Sequence, residues 1–223
     1  MQQRTRTWVG IGAGVVVLGI VAAAVVGPGL YADWANDRAD AAPTLEAQVQ
    51  GAPVTATDGT WTVTDGSFAG YRLEEVLRGQ DVTVTGRTDQ VTGTLTVADG
   101  ALTAAEVVVD MASIATDQPP RDGYFRDQAI QVVRYPTATF TLTEPVELPQ
   151  DATSAQLTGD LTIRDVTREV TVDADLAASG DVVQVVGSVP ITFADYGVQA
   201  PSLGFVTVED DGFVEFDLRL AAD

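Results

Sequence analysis

"LTGDLTIRDVTREVTVDADL", Leu157 to Leu176, decides the fold class. Leu157, Leu161 and Ile163, then Val170, Val172, Ala174 and Leu176, fall on alternate positions with Thr, Asp and Glu between them. An apolar set with a period of two is the pattern of a strand that buries one face and wets the other. The rhythm runs outward in both directions. Towards the N-terminus it takes in Val82 and Val84; Val91, Gly93, Leu95 and Val97; and Ala105, Val107, Val109 and Met111. Towards the C-terminus it takes in Val183, Val185, Val189, Ile191 and Phe193, then Val214, Phe216, Leu218 and Leu220. The pairs Asp58-Gly59, Asp65-Gly66, Asp99-Gly100, Ser179-Gly180 and Asp211-Gly212 punctuate these runs as turns. Roughly eight or nine antiparallel strands joined by hairpins close into a sandwich or a barrel.

Composition narrows the chemistry. The chain has 223 residues with a net charge of −20, and its twelve basic residues are all arginine. That charge repels a phosphate backbone, which argues against nucleic acid as a partner. There is no cysteine and no histidine. Thiol catalysis, disulfides, Ser-His nucleophile systems and His- or Cys-based metal sites are therefore excluded, and no cofactor is implied. Acid–base work would fall to displaced carboxylates or tyrosines. The acids gathered in "VEDDG", Val208 to Gly212, lack the spacing of a calcium loop and read as an acidic turn.

Three segments follow from charge and period. From Thr7 to Ala32 there is no charge; the apolar run Trp8 to Tyr31 is 24 residues, roughly 36 Å as a helix against a bilayer core of about 30 Å. Arg4 and Arg6 precede it and Asp33, Asp37 and Asp40 follow, so residues 1–32 are expected to be a cytoplasmic tip and a single transmembrane helix. The run is too long for a signal-peptide core and no small-x-small site closes it cleanly, which favours an uncleaved anchor over a cleaved signal. The expected location is the cell membrane, with the remainder displayed outside. Residues 33–57 lack alternation, carry Pro43 and Pro53, and read as a stalk. Residues 58–223 form the β domain.

One stretch inside that domain breaks the rhythm: Ala112 to Pro136, which should form short helices or a long loop, and connections of that length are more often functional than idle. Its core, "RDGYFRDQAIQVVRYPTATF" (Arg121–Phe140), holds three of the twelve arginines and four of the fifteen aromatics. Together with "LTGDLTIRDVTREVTVDADL" and "ITFADYGV" (Ile191–Val198), in that order and spacing, it resembles the YceI family. The resemblance covers about Asp58 to Leu220 and implies a lipocalin-like antiparallel β-barrel of about eight strands with a short helical insertion. It also implies a long apolar ligand, a polyisoprenoid or quinone-like lipid, in the barrel. Where the family commonly has histidine after its Arg-Asp pair, this chain has Tyr124, and the early strand that often ends in histidine reads "SFAGYRLEEVL" (Ser67–Leu77).

The inward positions are mostly Val, Ala, Leu and Gly, small enough to leave room inside an eight-stranded barrel; the alternative is that insertion aromatics fill it. Tyr71, Leu73, Phe140 and Phe193, by parity, and Tyr124 and Phe125, from the insertion, are the candidate lipid contacts. Arg126 and Arg134 are candidates for a polar head group, with local pairing to Asp127 as their alternative. Arg121 and Asp122 read as a structural pair, and Pro136 as a register device that holds Tyr135 extended. Arg168, at a strand end, is expected in solvent. The functional expectation is a membrane-tethered carrier or sequestering protein for an apolar lipid, not an enzyme. The rivals are an interaction module with a filled core and an enzyme acting on a bound lipid, the latter requiring a buried acid that faces the interior.

Overall fold

The computed structural model describes residues 27–46, 52–55, 57–202 and 204–223. Most of the expected transmembrane helix, residues 8–26, lies outside the described residues. Among the described residues no helix is long and apolar enough to cross a membrane.

Eleven strands form one antiparallel sheet: β1 (Gly59–Val63), β2 (Phe68–Leu77), β3 (Gln80–Thr88), β4 (Val91–Ala98), β5 (Ala101–Asp110), β6 (Thr137–Leu142), β7 (Val146–Glu147), β8 (Ser154–Ile163), β9 (Val166–Ser179), β10 (Val182–Thr192) and β11 (Val206–Ala222). The order is β1-β4-β5-β6-β8-β9-β10-β11-β2-β3, and β1 pairs β11 as well, so the sheet closes. The 17-residue β11 carries both β1, opposite Leu220 to Ala222, and β2, opposite Val206 to Asp217. Hence β1 and β2 lie end to end along it as one long strand broken at Thr64–Ser67. β3 and β4 do the same on the other side, opposite β2 and β1. Counted this way the barrel has eight staves, within the eight or nine strands expected from the alternation and in the closed form implied by the family resemblance, and the small β7 pairs with the start of β5. The bulge between Thr96 and Val97 shifts parity on β5, so Leu102 and Ala105, three apart, both turn inward.

The two ends differ. One carries the turns Asp99-Gly100 and Gly180-Asp181 and is closed. There Val54 bridges Ala152, and both are buried beside Leu176 and Leu218. At the other end no strand among the described residues pairs with the far edge of β3. A free edge is a liability, and two segments satisfy it. The insertion contributes a bridge in which Arg87 and Ala115 exchange main-chain hydrogen bonds of 3.0 and 3.1 Å. Residues 27–36 form a helix whose Asn36 amide pairs like a strand residue: its Nδ2 donates to the Asp81 carbonyl (3.1 Å) and its Oδ1 accepts from the Thr83 N–H (2.8 Å). Ala32 and Ala35 of this helix pack on Val82 and Val84.

Residues 33–57 were expected to be a stalk; over their described part they lie against the barrel. Arg72 Nη2 donates to the Asp40 carbonyl at 2.6 Å, Arg87 Nη2 to the Ala41 carbonyl at 2.5 Å, and Arg219 pairs with Glu46 at 2.6 Å. Under this strap the outer faces of β2, β3, β10 and β11 bury charge. Glu215, only 2% exposed, is held by Arg72 at 2.6 Å and Arg87 at 3.4 Å. Gln184 donates to both oxygens of Asp217 and accepts from the Glu46 N–H. Lack of alternation in residues 33–46 reflects a segment held by its main chain and by arginines across from it, not a free one.

Candidate functional site

The barrel is hollow. A cavity of about 680 Å³ runs along its axis from the lower wall to the open end. Its wall consists of the inward sets read from the alternation, with Val107, Val172, Val185, Val189, Leu161 and Leu218 among them. That finding decides against a core filled by insertion aromatics.

Glycine on a neighbouring strand is what keeps the large rings against the wall. Tyr71 is paired directly with Gly86, and Phe216 with Gly187. A Cβ at Gly86 would lie 2.5 Å from Tyr71 Cε1, and one at Gly187 would lie 2.6 Å from Phe216 Cζ. Phe140 covers Gly159 and Phe193 covers Gly212 in the same way, at 2.5 and 2.7 Å. Each ring occupies the space its neighbour's missing side chain leaves, so the centre stays empty.

The insertion forms the roof. Asp110 caps the turn Met111–Ser113 through the Ala112 N–H, at 2.9 Å. Pro119 and Pro120 open a short helix, Pro119–Tyr124, where a missing N–H costs nothing. A wider turn, Phe125–Ile130, follows and stops at Gln131 in the left-handed region. Phe125 stacks on Tyr71 with centroids 5.2 Å apart, while Tyr124 stays 38% exposed at the rim. Tyr71, Leu73, Tyr124, Phe125, Phe140 and Phe193 thus all line the cavity.

The arginines are placed otherwise than expected. Arg126 and Arg134 do not line the cavity; Arg134 lies over the Tyr135 ring, 4.8 Å from its centroid. Arg121 is the one that reaches it. It ignores Asp122 and pairs with Glu75 at 3.1 Å and Asp117 at 2.9 Å. Neighbours on a helix do not face each other, and Arg121 instead reaches back to Asp117, just before the helix starts. Asp122 is structural: it is buried and accepts from the Thr116 N–H (2.8 Å) and hydroxyl (2.7 Å). Pro136 lies between Tyr135 and β6, where its carbonyl accepts from the Met111 N–H and Tyr135 bonds Asp165. Arg168 is exposed beside Asp195.

Of the lining residues that the sequence reading did not assign, Glu75 and Tyr31 bear most on the site. Glu75 shares the parity of Tyr71 and Leu73 and is the buried acid of the cavity wall, paired with Arg121; alternation alone would have found it. Tyr31, at the end of the apolar run, lines the mouth, and nothing in periodicity signals that. Burial drives the Tyr71 hydroxyl pKa well above its ordinary value, against the opposing field of Arg121. Burial also raises that of Tyr196. The polar part of the wall is small: Glu75 and Arg121, with Gln118, Thr139 and Gln199.

The fold of the barrel has counterparts in known proteins. The barrel is similar to that of BcnA of Burkholderia cenocepacia, with a TM-score of 0.55, 20% identity, and coverage of 67% of this chain and 95% of that one. It is also similar to a polyisoprenoid-binding domain from Saccharophagus degradans implicated in plant cell wall breakdown, at 0.56 and 21%, covering 75% of this chain and all of that domain. At these identities the likeness is one of fold. In sequence, 70 residues are 37% identical to Protein YceI of Escherichia coli O157:H7, and 70 are 39% identical to a UPF0312 protein of Pseudomonas aeruginosa. Each match spans 31% of this chain and only 35% of the relative. The YceI-like domain model matches residues 54–220, nearly the whole barrel, and the chain belongs to the YceI-like family.

Proposed function

We propose that the barrel holds the apolar tail of a long lipid, of polyisoprenoid or quinone-like type, and that the chain acts as a membrane-tethered carrier or sequestering protein. The observation that carries this reading is the cavity: 680 Å³, walled almost entirely by aliphatic and aromatic side chains and open at one end. The volume falls within the usual range of small-molecule sites. Each buried methylene contributes about 0.8 kcal/mol, so a tail needs no polar contact along its length. The Glu75–Arg121 pair offers an acceptor and donors to a head group at the mouth. The fold it shares with a polyisoprenoid-binding domain supports the same reading. Residues 8–31 supply the tether, and their lack of charge is its support.

Native mass spectrometry and lipid extraction of the purified full chain test the ligand. The expected result is a co-purifying long-chain lipid, and a rise in melting temperature when a polyisoprenol is added to stripped protein. A ligand-free barrel that gains no stability from polyisoprenol or quinone would overturn it.

A further inference from the structure

We infer that the open end of the barrel rests on the surface of the lipid bilayer, so that the cavity mouth opens into the membrane rather than into water. This rests on the tether in the proposed function, but not on which ligand the cavity takes.

The first observation is a juxtaposition. Tyr31 is the last residue of the apolar run Trp8–Tyr31 and also a lining residue of the cavity mouth. No linker separates the two roles. The helix of residues 27–36 takes in the last five residues of that run and docks through Ala32 and Ala35 on Val82 and Val84 beside the mouth. If the run fills a bilayer core, its outer boundary falls at the mouth.

The second observation is what surrounds the opening. Leu30 is 64% exposed and Phe205 56% exposed, with Tyr31, Trp34 and Tyr124 also exposed. Tyr31, Tyr124 and Phe205 line the mouth itself. Aromatic rings with one polar edge are the side chains that favour the water–bilayer boundary.

The third observation is charge. Tight turns at both ends place a non-glycine residue in the left-handed region. At the closed end these are Asp99 (φ 54°) and Asp151 (φ 66°), and at the mouth end Arg78 (φ 51°) and Arg164 (φ 58°). Aspartate suits that conformation through local hydrogen bonds; Arg164 instead donates to the Gly197 carbonyl and lies over the Tyr135 ring, and the Arg78 N–H donates to the Phe205 carbonyl. Among the described residues Arg78, Arg126, Arg134 and Arg164, all at the mouth end, form no ion pair with a carboxylate, whereas Arg72, Arg87 and Arg219 along the wall all do. Acids are present at the mouth end too: Asp117 and Glu75 are held by Arg121, Asp195 by Arg168, and Asp165 by the Tyr135 hydroxyl, while Asp33, Asp37, Asp81, Asp127, Glu209 and Asp210 are exposed. Exposed Asp58, Asp99, Glu147 and Asp181 sit at the closed end. Unpaired arginines thus stand at the mouth end, interspersed with exposed acids, where phosphate head groups would meet them.

Because the chain has no cysteine, single labels report position cleanly. The full chain, carrying Phe205→Cys, Tyr124→Cys, Asp181→Cys or Val17→Cys with a fluorescent label, is placed in nanodiscs of phosphatidylcholine and phosphatidylglycerol containing a nitroxide-bearing lipid. The expected result is strong lipid quenching at positions 17, 205 and 124, several-fold greater than at position 181. Quenching at 17 without quenching at 205 and 124 overturns the orientation and leaves the tether standing. No quenching at 17 overturns the tether and this inference with it. A mouth label shielded from aqueous iodide but untouched by the lipid quencher means that residues 1–26 or a second copy covers the opening, and also overturns it. Ligand extraction from the same discs reads the cavity separately.

Discussion

If the aromatic rings stay on the barrel wall because glycine faces them, then adding one methyl group at Gly86 should push Tyr71 off it. The Cβ of Gly86→Ala would sit 2.5 Å from Tyr71 Cε1 and 2.7 Å from Cζ, where ordinary contact requires about 3.5–4.0 Å. The ring must retreat by roughly 1 Å, out of its rotamer well and out of register with Phe125. The off-rotamer cost is about 0.5–1.5 kcal/mol, and the lost stack is worth about 0.5–1.5 kcal/mol more. Alanine returns about 0.5–1 kcal/mol through its lower strand entropy cost. The net is a destabilisation of roughly 0.5–2 kcal/mol, or about 1–8 °C for a chain of this length. The decisive measurement is the double-mutant cycle with Tyr71→Ala, read as melting temperature and denaturant midpoint. With the ring gone, Gly86→Ala should become neutral or stabilising. Gly70→Ala is the control, since its Cβ would strike the main chain of Gly86 and Arg87 and no side-chain deletion can relieve it. If Gly86→Ala costs the same with and without Tyr71, the ring is not what occupies the glycine's space.

Three further outcomes follow from contacts elsewhere. Arg72→Met leaves Glu215 buried with only its longer contact to Arg87 and should cost about 3–5 kcal/mol in chemical denaturation; adding Glu215→Gln should recover a good part of that. Burial raises the Asp217 pKa against the opposing hydrogen bonds from Gln184. The folded state thus holds that proton more tightly than the unfolded one, and stability is lost as pH rises from the ordinary carboxylate value through the folded one. Asp217→Asn should therefore flatten that part of the stability profile and raise the melting point at pH 7, and an unchanged profile would contradict it. Val189→Trp fills the cavity from its wall and should reduce co-purifying or added lipid at least tenfold while the far-UV spectrum is retained; undiminished lipid would place the ligand elsewhere.

The strands could be read from the sequence because each buries one face, and a period of two survives wherever that holds. The same parity placed Tyr71, Leu73, Phe140 and Phe193 on the cavity wall, and carried further it would have placed Glu75 there. Arginine was harder to read. A guanidinium reaches about as far as its stem allows, and its partner is set by which faces meet in space. Arg121 therefore sits next to Asp122 in sequence but bonds Glu75, 46 positions away. The strap was illegible for a related reason: its carbonyls at Asp40 and Ala41 are what Arg72 and Arg87 bind, and a main-chain acceptor leaves no mark on side-chain patterning. Tyr31 carries two assignments in one residue, and hydropathy reports only the first.

The strap also fixes how the protein bears load. A pull on Gly27 reaches the packing of Ala32 and Ala35 first, then the Asn36 amide, the bonds at Asp40 and Ala41, Glu46 and the Val54–Ala152 bridge, before it reaches β1. These contacts are met one after another, so they peel singly and at low force, while the closed sheet behind them is loaded only when the last has gone. The strap is in effect a mechanical fuse: a pull on its N-terminal end would strip and reseal a few surface bonds and leave the container intact.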